Sequence, residues 1–437
     1  MTTTKKQTNR KTKTQKESTM TEIKLAPELK TETLRKEINR FNAECKEAYV
    51  EREEAIDLGC WTLLAGEHML LLGLQGTAKS AMANAFCNAL YDKNANKPSQ
   101  YFRTLMTRFQ LPEELLGPYS AKLMAEEDRL VHKSDHYMPT GDVVFLDELF
   151  KGSSAILNSL LTALNEQQWL DDGQMKDLPV MQFWAAANKL PSEEDGLEAF
   201  HDRFLGRCFF RWAQRDESAR RIIFGTVRKT VNGKQITERV GRPKTTCKID
   251  ITAVREIQKR LKTDDDFIPV SQDAEDAILK IRRDVSDAGI PVSDRRYYKA
   301  VKVLRARAWM LGLDQVGVGG LDPLKNMLWN EPGHIEQVNL IVSQHGPDWV
   351  SKLAEVDAVA VEQSSRLEDS LRKASTRGDK LKAISDCQDK LGVQMDIMEQ
   401  IVRESPGAKS DVRFSNLVET LNHMMEYTDQ IGKGLGF

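Results

Sequence analysis

The stretch "LLGLQGTAKSAMANAF", residues 71–86, decides the fold of this chain. It is apolar and strand-like at its start and helix-like at its end, and glycines, a lysine and a serine crowd the junction. Their spacing fits the phosphate-loop pattern G-x-x-x-x-G-K-[ST], with alanine in place of the second glycine. Such a loop turns successive backbone N–H groups, and the start of the following helix, toward one anion. The pattern predicts a phosphate site made of Gly73, Leu74, Gln75, Gly76, Thr77, Ala78, Lys79, Ser80 and Ala81.

Two side chains of this loop carry chemistry. Lys79 is placed to reach the β- and γ-phosphates of a nucleotide, and the Ser80 hydroxyl is placed to ligate Mg²⁺. Ala78 is acceptable there if it has helical dihedral angles, because only a positive φ demands glycine. Taken alone, the loop could also be an ordinary glycine-containing turn.

Three short apolar runs, at residues 68–73, 142–148 and 181–188, are typical of strands buried on both faces of a parallel sheet. The second run ends in Asp147 and Glu148. Asp147 suits the hydration shell of Mg²⁺, and Glu148 suits the polarisation of an attacking water. Asn188 ends the third run and could orient the same water. The alternatives are acids that merely mark a strand end and an asparagine that caps a strand.

Composition narrows the class of protein. The 437 residues include 65 acidic and 63 basic ones, and the formal charge of −2 argues against a globally basic surface for nucleic acid or membrane. The six cysteines lack metal-site spacing, so we expect free thiols in a reducing compartment rather than structural zinc. Because no apolar run is long enough to cross a bilayer, we expect a soluble, cytoplasmic protein.

The patterns divide the chain into five regions. A basic tail over residues 1–28 lacks the apolar segment of a signal peptide and is expected to be disordered. An α/β core is expected over 29–220, and a β-hairpin or linker over 221–250, where an Asn-Gly pair separates β-branched runs. An all-α lid is expected over 251–320 and a helical region over 321–437. The apolar stripe of the last region indicates helix packing, with a coiled coil to another subunit or partner as the alternative.

Six motifs in order resemble the MoxR family of AAA+ ATPases and, within it, the RavA-like branch. They are LLGLQGTAKS, TRFQLPEELLGPYS, VVFLDELFKGSSAILNSLLTALNEQQW, AAANKLP, LEAFHDRFLGR and VSDRRYYKAVKVLRARA. The resemblance implies an α/β fold, namely an AAA+ P-loop core whose parallel sheet is flanked by helices, then an all-α lid domain and a mainly helical C-terminal region. It also implies Walker A at 73–80, Walker B at Asp147 and Glu148, and sensor 1 at Asn188. ATP and Mg²⁺ are the implied cofactors.

The resemblance further implies a homo-hexameric ring. Arg203 matches the arginine finger, which acts on the nucleotide of the adjacent subunit. Arg295 matches sensor 2, with Arg296 as a second candidate. Surface salt bridges are the alternative role for these arginines. MoxR ATPases commonly work with a protein that carries a von Willebrand factor A domain, so a partner of that kind is expected.

The leading hypothesis is a ring that hydrolyses Mg²⁺-ATP and remodels protein partners, with an unknown client. Residues 113–136 match the helix-2 insert, which projects toward the ring pore, and Tyr119 and Leu123 could line the pore or pack in the core. Within 113–135, six acids outnumber three bases, which makes nucleic acid an unfavourable ligand and disfavours the alternative of a DNA-translocating motor. A nucleotide-gated scaffold with negligible turnover is the third hypothesis, and the intact site residues speak against it. The accessory α/β domain of RavA-like proteins is not expected here, because residues 333–437 read as helices.

Overall fold

The structure of the protein is a computed structural model. It describes residues 31–190, 203–231, 234–239, 246–346, 348–374, 376–404 and 412–434, so the predicted basic tail lies outside the described residues. Internal contacts divide the chain into two compact units. The first contains the described residues within Met1–Ala219, Gly241–Ile268 and Ser293–Met310, and the second contains those within Arg220–Val240, Pro269–Val292 and Leu311–Phe437.

The helices and strands are numbered in chain order over the described residues. The helices are α1 (residues 31–48), α2 (Glu53–Ala65), α3 (Lys79–Ala89), α4 (Glu113–Leu116), α5 (Ala121–Glu127), α6 (Ser154–Glu166), α7 (Asp216–Phe224), α8 (Ile251–Thr263), α9 (Gln272–Asp287), α10 (Asp294–Met310), α11 (Ile335–Gln344), α12 (Asp348–Lys373), α13 (Arg377–Glu404) and α14 (Val412–Gly434). The strands are β1 (Met69–Gly73), β2 (Leu90–Asp92), β3 (Lys97–Pro98), β4 (Tyr101–Leu105), β5 (Val143–Asp147), β6 (Gln168–Asp171), β7 (Gln174–Asp177), β8 (Gln182–Ala187), β9 (Gly206–Phe210), β10 (Thr226–Val231), β11 (Lys234–Arg239) and β12 (Ile249–Asp250). Short 3-10 turns lie at Met138–Thr140, Leu149–Lys151, Val318–Gly320, Asp322–Asn326 and Pro332–His334.

A five-stranded parallel sheet forms the centre of the first unit, in the order β4-β5-β8-β1-β9. The three apolar runs of the sequence become β1, β5 and β8, and these strands are buried along nearly their whole length. The predicted parallel sheet is therefore confirmed. β4 occupies one edge, and Phe102 is the one buried residue among its five.

The strand order places the carboxyl ends of β1, β5 and β8 next to each other. Parallel pairing joins Leu72 to Ala187 and Leu146 to Ala185, so these strands end almost level with one another. Side chains that follow parallel strands meet at one edge of the sheet. This edge collects the loop after β1, the two acids at the end of β5 and Asn188 after β8.

Charged side chains hold helix α10 in place within the first unit. The carboxylate of Glu67, just before β1, is 2.9 Å from the Lys299 ammonium and also pairs with Lys302. Burial alone would raise the pKa of Glu67, but the two lysines lower it. The buried Arg305 donates hydrogen bonds to backbone carbonyls that include those of Asp264 and Phe267. Of the helices within residues 251–320, α8 and α10 belong to the first unit and α9 to the second.

The second unit contains a β-hairpin and helices. β10 and β11 pair antiparallel with Val231 opposite Lys234, which confirms the predicted hairpin, although its two turn residues lie outside the described residues. Helices α12, α13 and α14 pack around a shared apolar core. The stripe that the sequence shows in α13 supplies part of this core, including Ile384, Leu391 and Met398. Intramolecular packing therefore accounts for the stripe.

Two further features concern the whole described chain. All six cysteines are buried free thiols. Within the described ranges, no helix combines the length and the apolar character that a membrane crossing requires.

Candidate nucleotide site

The loop after β1 has two glycines that the backbone requires. Gly73 has a φ of +130°, and a Cβ atom built on it would lie 2.1 Å from the carbonyl oxygen of Phe210 in β9. Gly76 has a φ of +77° and open space around it. Gly73 is therefore fixed by close contact with the neighbouring strand, and Gly76 by its left-handed conformation alone.

Ala78 differs from the expectation drawn from the sequence. It has a φ of 67° and a ψ of 18°, which is left-handed and not helical, so the condition under which alanine would be free of strain here is not met. Ala78 is the N-cap of α3, where the chain must turn before the helix can begin. A left-handed alanine costs about 1–2 kcal/mol, and the loop therefore holds strain at the position where the consensus has glycine.

Lys79 lies buried in the middle of the site. Its Nζ atom donates hydrogen bonds to the carbonyl oxygens of Gly73 at 2.7 Å and Leu74 at 2.8 Å, and to Asn188 Oδ1 at 3.2 Å. Burial lowers the pKa of Lys79, and the carboxylates of Glu148 and Asp147 oppose that effect. These partners are weak ones for an ammonium group, so phosphate oxygens entering the loop would compete well for it.

Ser80 and Asp147 form the predicted metal-binding pair. Ser80 Oγ donates to Asp147 Oδ2 at 2.8 Å, and Arg103 Nη2 lies 3.8 Å from the same oxygen. A hydroxyl beside one carboxylate fits Mg²⁺, which keeps several waters and uses one or two carboxylates together with phosphate oxygens. No cluster of three or more His, Cys, Asp or Glu side chains suited to a metal occurs in the part of the chain that the structure describes. Any Mg²⁺ here would depend on this pair and the nucleotide.

Glu148 and Asn188 meet directly. The Asn188 Nδ2 atom donates a short hydrogen bond to the Glu148 carboxylate, and Lys151 Nζ lies 3.5 Å from the other carboxylate oxygen. Glu148 has a left-handed backbone with a φ of 53°, a conformation that often marks functional residues. Asn188 thus links Lys79 to Glu148, and capping a strand is not its only role.

The predicted finger and sensor 2 arginines lie apart from this group. Arg203 is half-buried, three positions before β9 begins. Arg295 is exposed and donates to Asn165 Oδ1 at 3.1 Å, near the C-terminal end of α6, whereas Arg296 is 3% exposed. The His68 ring is 3.2 Å from the carbonyl oxygen of Leu164, so this end of α6 lies by the amino end of β1. The phosphate loop follows the other end of β1, which is roughly 17 Å long at about 3.3 Å per residue.

The helix-2 insert and the β6–β7 hairpin are joined by a buried polar cluster. Asp171 Oδ1 accepts from the backbone N–H of His132 at 2.9 Å and lies 2.8 Å from its ring, while Lys176 Nζ donates to Asp171 Oδ2 at 2.6 Å. Tyr119 stacks on His132 with ring centroids 4.1 Å apart and is 38% exposed, and Leu123 is half-exposed. Tyr119 is therefore not a core residue, whereas Leu123 is partly buried. Lining of a pore stays a prediction for both.

Sequence reasoning missed two features of this region. The β6–β7 hairpin has a two-residue turn with positive φ at Asp172 and Gly173, and the Asp-Gly pair in "DDGQ" is a recognised signal for such a turn. Arg52, which contacts the phosphate loop at Thr77, carries no sequence signal, because only the tertiary fold brings it there.

Comparison with known proteins gives two family matches. Residues 36–240 match the model described as "MoxR domain in the MoxR-vWA-beta-propeller ternary systems", and residues 273–342 match an AAA lid domain. The uncharacterised protein MJ0812 of Methanocaldococcus jannaschii is 35% identical over 71% of this chain and 74% of its own length. A second uncharacterised protein of that organism, MJ0079, is 33% identical over 75% of this chain and 76% of its own length.

A solved structure shares the fold. It comes from Cytophaga hutchinsonii, is described as a candidate ATPase, and superposes with a TM-score of 0.52 at 18% identity. The match covers 74% of this chain and 97% of that one. At this identity the likeness supports the fold class alone.

Proposed function

The chain belongs to the MoxR family of AAA+ ATPases, and from that premise we propose that it is a ring-forming, Mg²⁺-dependent ATP hydrolase that remodels protein partners. One observation carries the proposal: three strands deliver Lys79, the Ser80–Asp147 pair, and the Asn188–Glu148 pair to a single edge of the sheet. Phosphoryl transfer to water needs this set, namely a cation for the phosphates, a metal-binding pair and a base beside the nucleophile.

The roles of the residues follow from their contacts. Lys79 exchanges the carbonyl oxygens of Gly73 and Leu74 for phosphate oxygens, which are stronger acceptors for an ammonium group. Ser80 and Asp147 hold Mg²⁺, which when bound neutralises charge on the phosphate oxygens. Glu148 orients the attacking water and accepts its proton. Asn188 contacts both Lys79 and Glu148, so it positions the base relative to the phosphates.

The ring is proposed from the arginines as well as the family. A guanidinium that meets charge on the γ-phosphate accelerates hydrolysis strongly, and Arg203 is proposed to do this for the nucleotide of the adjacent copy. Arg295 is proposed as sensor 2. Its place beside Asn165, at the far end of β1 from the phosphate loop, favours action on the nucleotide of a neighbouring copy. A hexamer is the expected ring size.

Protein partners are proposed over nucleic acid. The helix-2 insert is rich in acids, which repel a phosphate backbone. The matched family is described by its systems with von Willebrand factor A and β-propeller proteins, and we propose partners of these two kinds. The motif sequences support a RavA-like placement within the family, and we propose a cytoplasmic location.

Two variants test this proposal. Lys79→Ala is expected to weaken nucleotide binding itself, because it removes the ammonium at the loop. Glu148→Gln is expected to hold ATP and to stabilise the ring, so that affinity capture with this variant recovers a protein partner.

Turnover that rises with added DNA and falls with salt would instead favour a DNA-translocating motor. Tight ATP binding without measurable turnover in the unchanged protein would favour a scaffold.

A further inference from the structure

We propose that Arg52 is a positioning residue for the phosphate loop, which holds the Thr77–Ala78 peptide so that the Ala78 N–H points at the phosphates. The inference rests on the proposed nucleotide-binding function. It assigns a role to a residue outside the loop motif, at the corner between α1 and α2.

Arg52 is fully engaged with backbone carbonyls. Its Nε atom donates to the carbonyl oxygen of Thr77 at 3.3 Å, and its Nη2 atom donates to that of Arg211 at 2.7 Å. Its Nη1 atom donates to the carbonyl oxygen of Glu51. The guanidinium also lies over the ring of Phe210, 4.7 Å from the centroid. The planar fork therefore bridges the phosphate loop and the segment after β9, and a lysine could not make these contacts together.

Peptide geometry gives the consequence of the Thr77 contact. In a trans peptide the C=O and the following N–H point in opposite directions. Because the Thr77 carbonyl points at Arg52, the N–H of Ala78 points the opposite way, and the proposal places the bound anion on that side. Lys79 donates hydrogen bonds to the carbonyl oxygens of Gly73 and Leu74 in the same loop. Those two contacts end when Lys79 turns to phosphate, whereas the Arg52 contact can persist.

The strain at Ala78 explains why the loop needs the hydrogen bond from Arg52. A glycine at this position would adopt the left-handed conformation freely, but alanine adopts it at a cost. Without an external donor the Thr77–Ala78 peptide would relax toward a commoner conformation and turn its N–H away. Arg52 supplies that donor, so it compensates for the missing consensus glycine.

The corner that carries Arg52 is itself anchored. The Glu51 carboxylate accepts hydrogen bonds from the backbone N–H groups of Gln214 at 2.8 Å and Arg215 at 3.0 Å. These residues lie just before α7, so an acid is favourably placed at that helix N-terminus. The corner therefore has a fixed position from which Arg52 can act.

Equilibrium binding of a fluorescent ADP analogue to the full-length chain tests the inference. Arg52→Met is expected to weaken binding about tenfold, the effect of losing one charged hydrogen bond. Arg52→Lys keeps the positive charge but loses the planar guanidinium, so the affinity of this variant for the analogue is expected to fall nearly as far. Adding Ala78→Gly to Arg52→Met is expected to restore binding at least about threefold, since glycine adopts the left-handed conformation without help. The gain from Ala78→Gly is expected to be larger in the Arg52→Met background than in the unchanged protein.

The control is Arg40→Met, which removes an arginine that is 65% exposed on α1 and pairs with Glu44. Its affinity is expected to stay within twofold of the unchanged protein. Binding by Arg52→Met as tight as that of the unchanged protein, or strictly additive effects of the two changes, would overturn the inference. If Arg52→Met does not fold, as judged by circular dichroism, the Arg52→Lys pair with and without Ala78→Gly decides in the same way. Failure of the unchanged protein to bind the analogue would count against the proposed function instead.

Discussion

Replacing Glu51 by Gln tests whether this carboxylate anchors the corner between α1 and α2. The test uses the pH dependence of the free energy of unfolding. Burial alone would raise the pKa of Glu51, but hydrogen bonds from the backbone of Gln214 and Arg215 and from the side chains of Ser218 and Arg215 lower it from 4.5 to about 2. That difference corresponds to at most about 3 kcal/mol of stability. The side chain is 15% exposed, so solvent screening reduces the expected contribution to about 2 kcal/mol.

The sign of the pH dependence follows from the lowered pKa. The contribution is fully present above pH 4.5 and is lost as the pH falls toward 2, because the carboxylate must then be protonated in the folded state as well. Glu51→Gln should therefore lower the free energy of unfolding by about 2 kcal/mol at pH 7, and by about half of that or less at pH 3. Urea unfolding followed by tryptophan fluorescence at both pH values measures the difference.

A neighbouring acid provides the control for this experiment. Glu53 is 51% exposed and approaches Arg215 only to 4.0 Å, so Glu53→Gln is expected to change stability by less than about 0.5 kcal/mol at either pH. If Glu51→Gln lowers the free energy of unfolding by the same amount at pH 7 and at pH 3, the carboxylate is not the anchor and the reasoning is refuted.

Three other replacements test separate parts of the structure. Gly73→Ala should abolish binding of the ADP analogue, because its Cβ would meet the carbonyl oxygen of Phe210; normal affinity would contradict the close approach of β1 and β9. Glu67→Gln should lower the thermal unfolding temperature measured by calorimetry, because it leaves the two lysines of α10 without a carboxylate and costs about 2–3 kcal/mol; an unchanged temperature would mean that α10 is held by other contacts. Asp171→Asn should speed tryptic cleavage within the helix-2 insert, because His132 loses its anionic partner; an unchanged cleavage rate would show that the insert and the β6–β7 hairpin are not coupled through this residue.

The sequence was sufficient for the parts of the site that local patterns encode. The phosphate loop and the acids after β5 are each contiguous in the chain, and the parallel sheet follows from continuous apolar runs. Their meeting at one edge of the sheet then follows from the rule for parallel strands. The conformation of Ala78 was not predictable in this way, because the general preference of alanine for helical angles is overridden by the geometry of the loop.

Long-range contacts account for what the sequence did not indicate. Arg52 reaches Thr77 only because α2 packs beside the sheet, and no motif spacing connects the two residues. The contacts of α10 within the first unit include the buried carboxylate of Glu67, and a helical pattern alone does not reveal its pairing with two lysines. The position of Arg295 beside Asn165 likewise depends on how α10 lies against α6.

Phosphate release by the Glu148→Gln variant is the most direct test of the account. The variant keeps Lys79, the Ser80–Asp147 pair and every backbone N–H of the loop, so it is expected to bind Mg²⁺-ATP with near-normal affinity. It loses the carboxylate that accepts the proton of the attacking water, and phosphate release should therefore fall at least about a hundredfold. Release of phosphate at the normal rate from this variant would contradict the assignment of Glu148, and with it the claim that this edge of the sheet hydrolyses ATP.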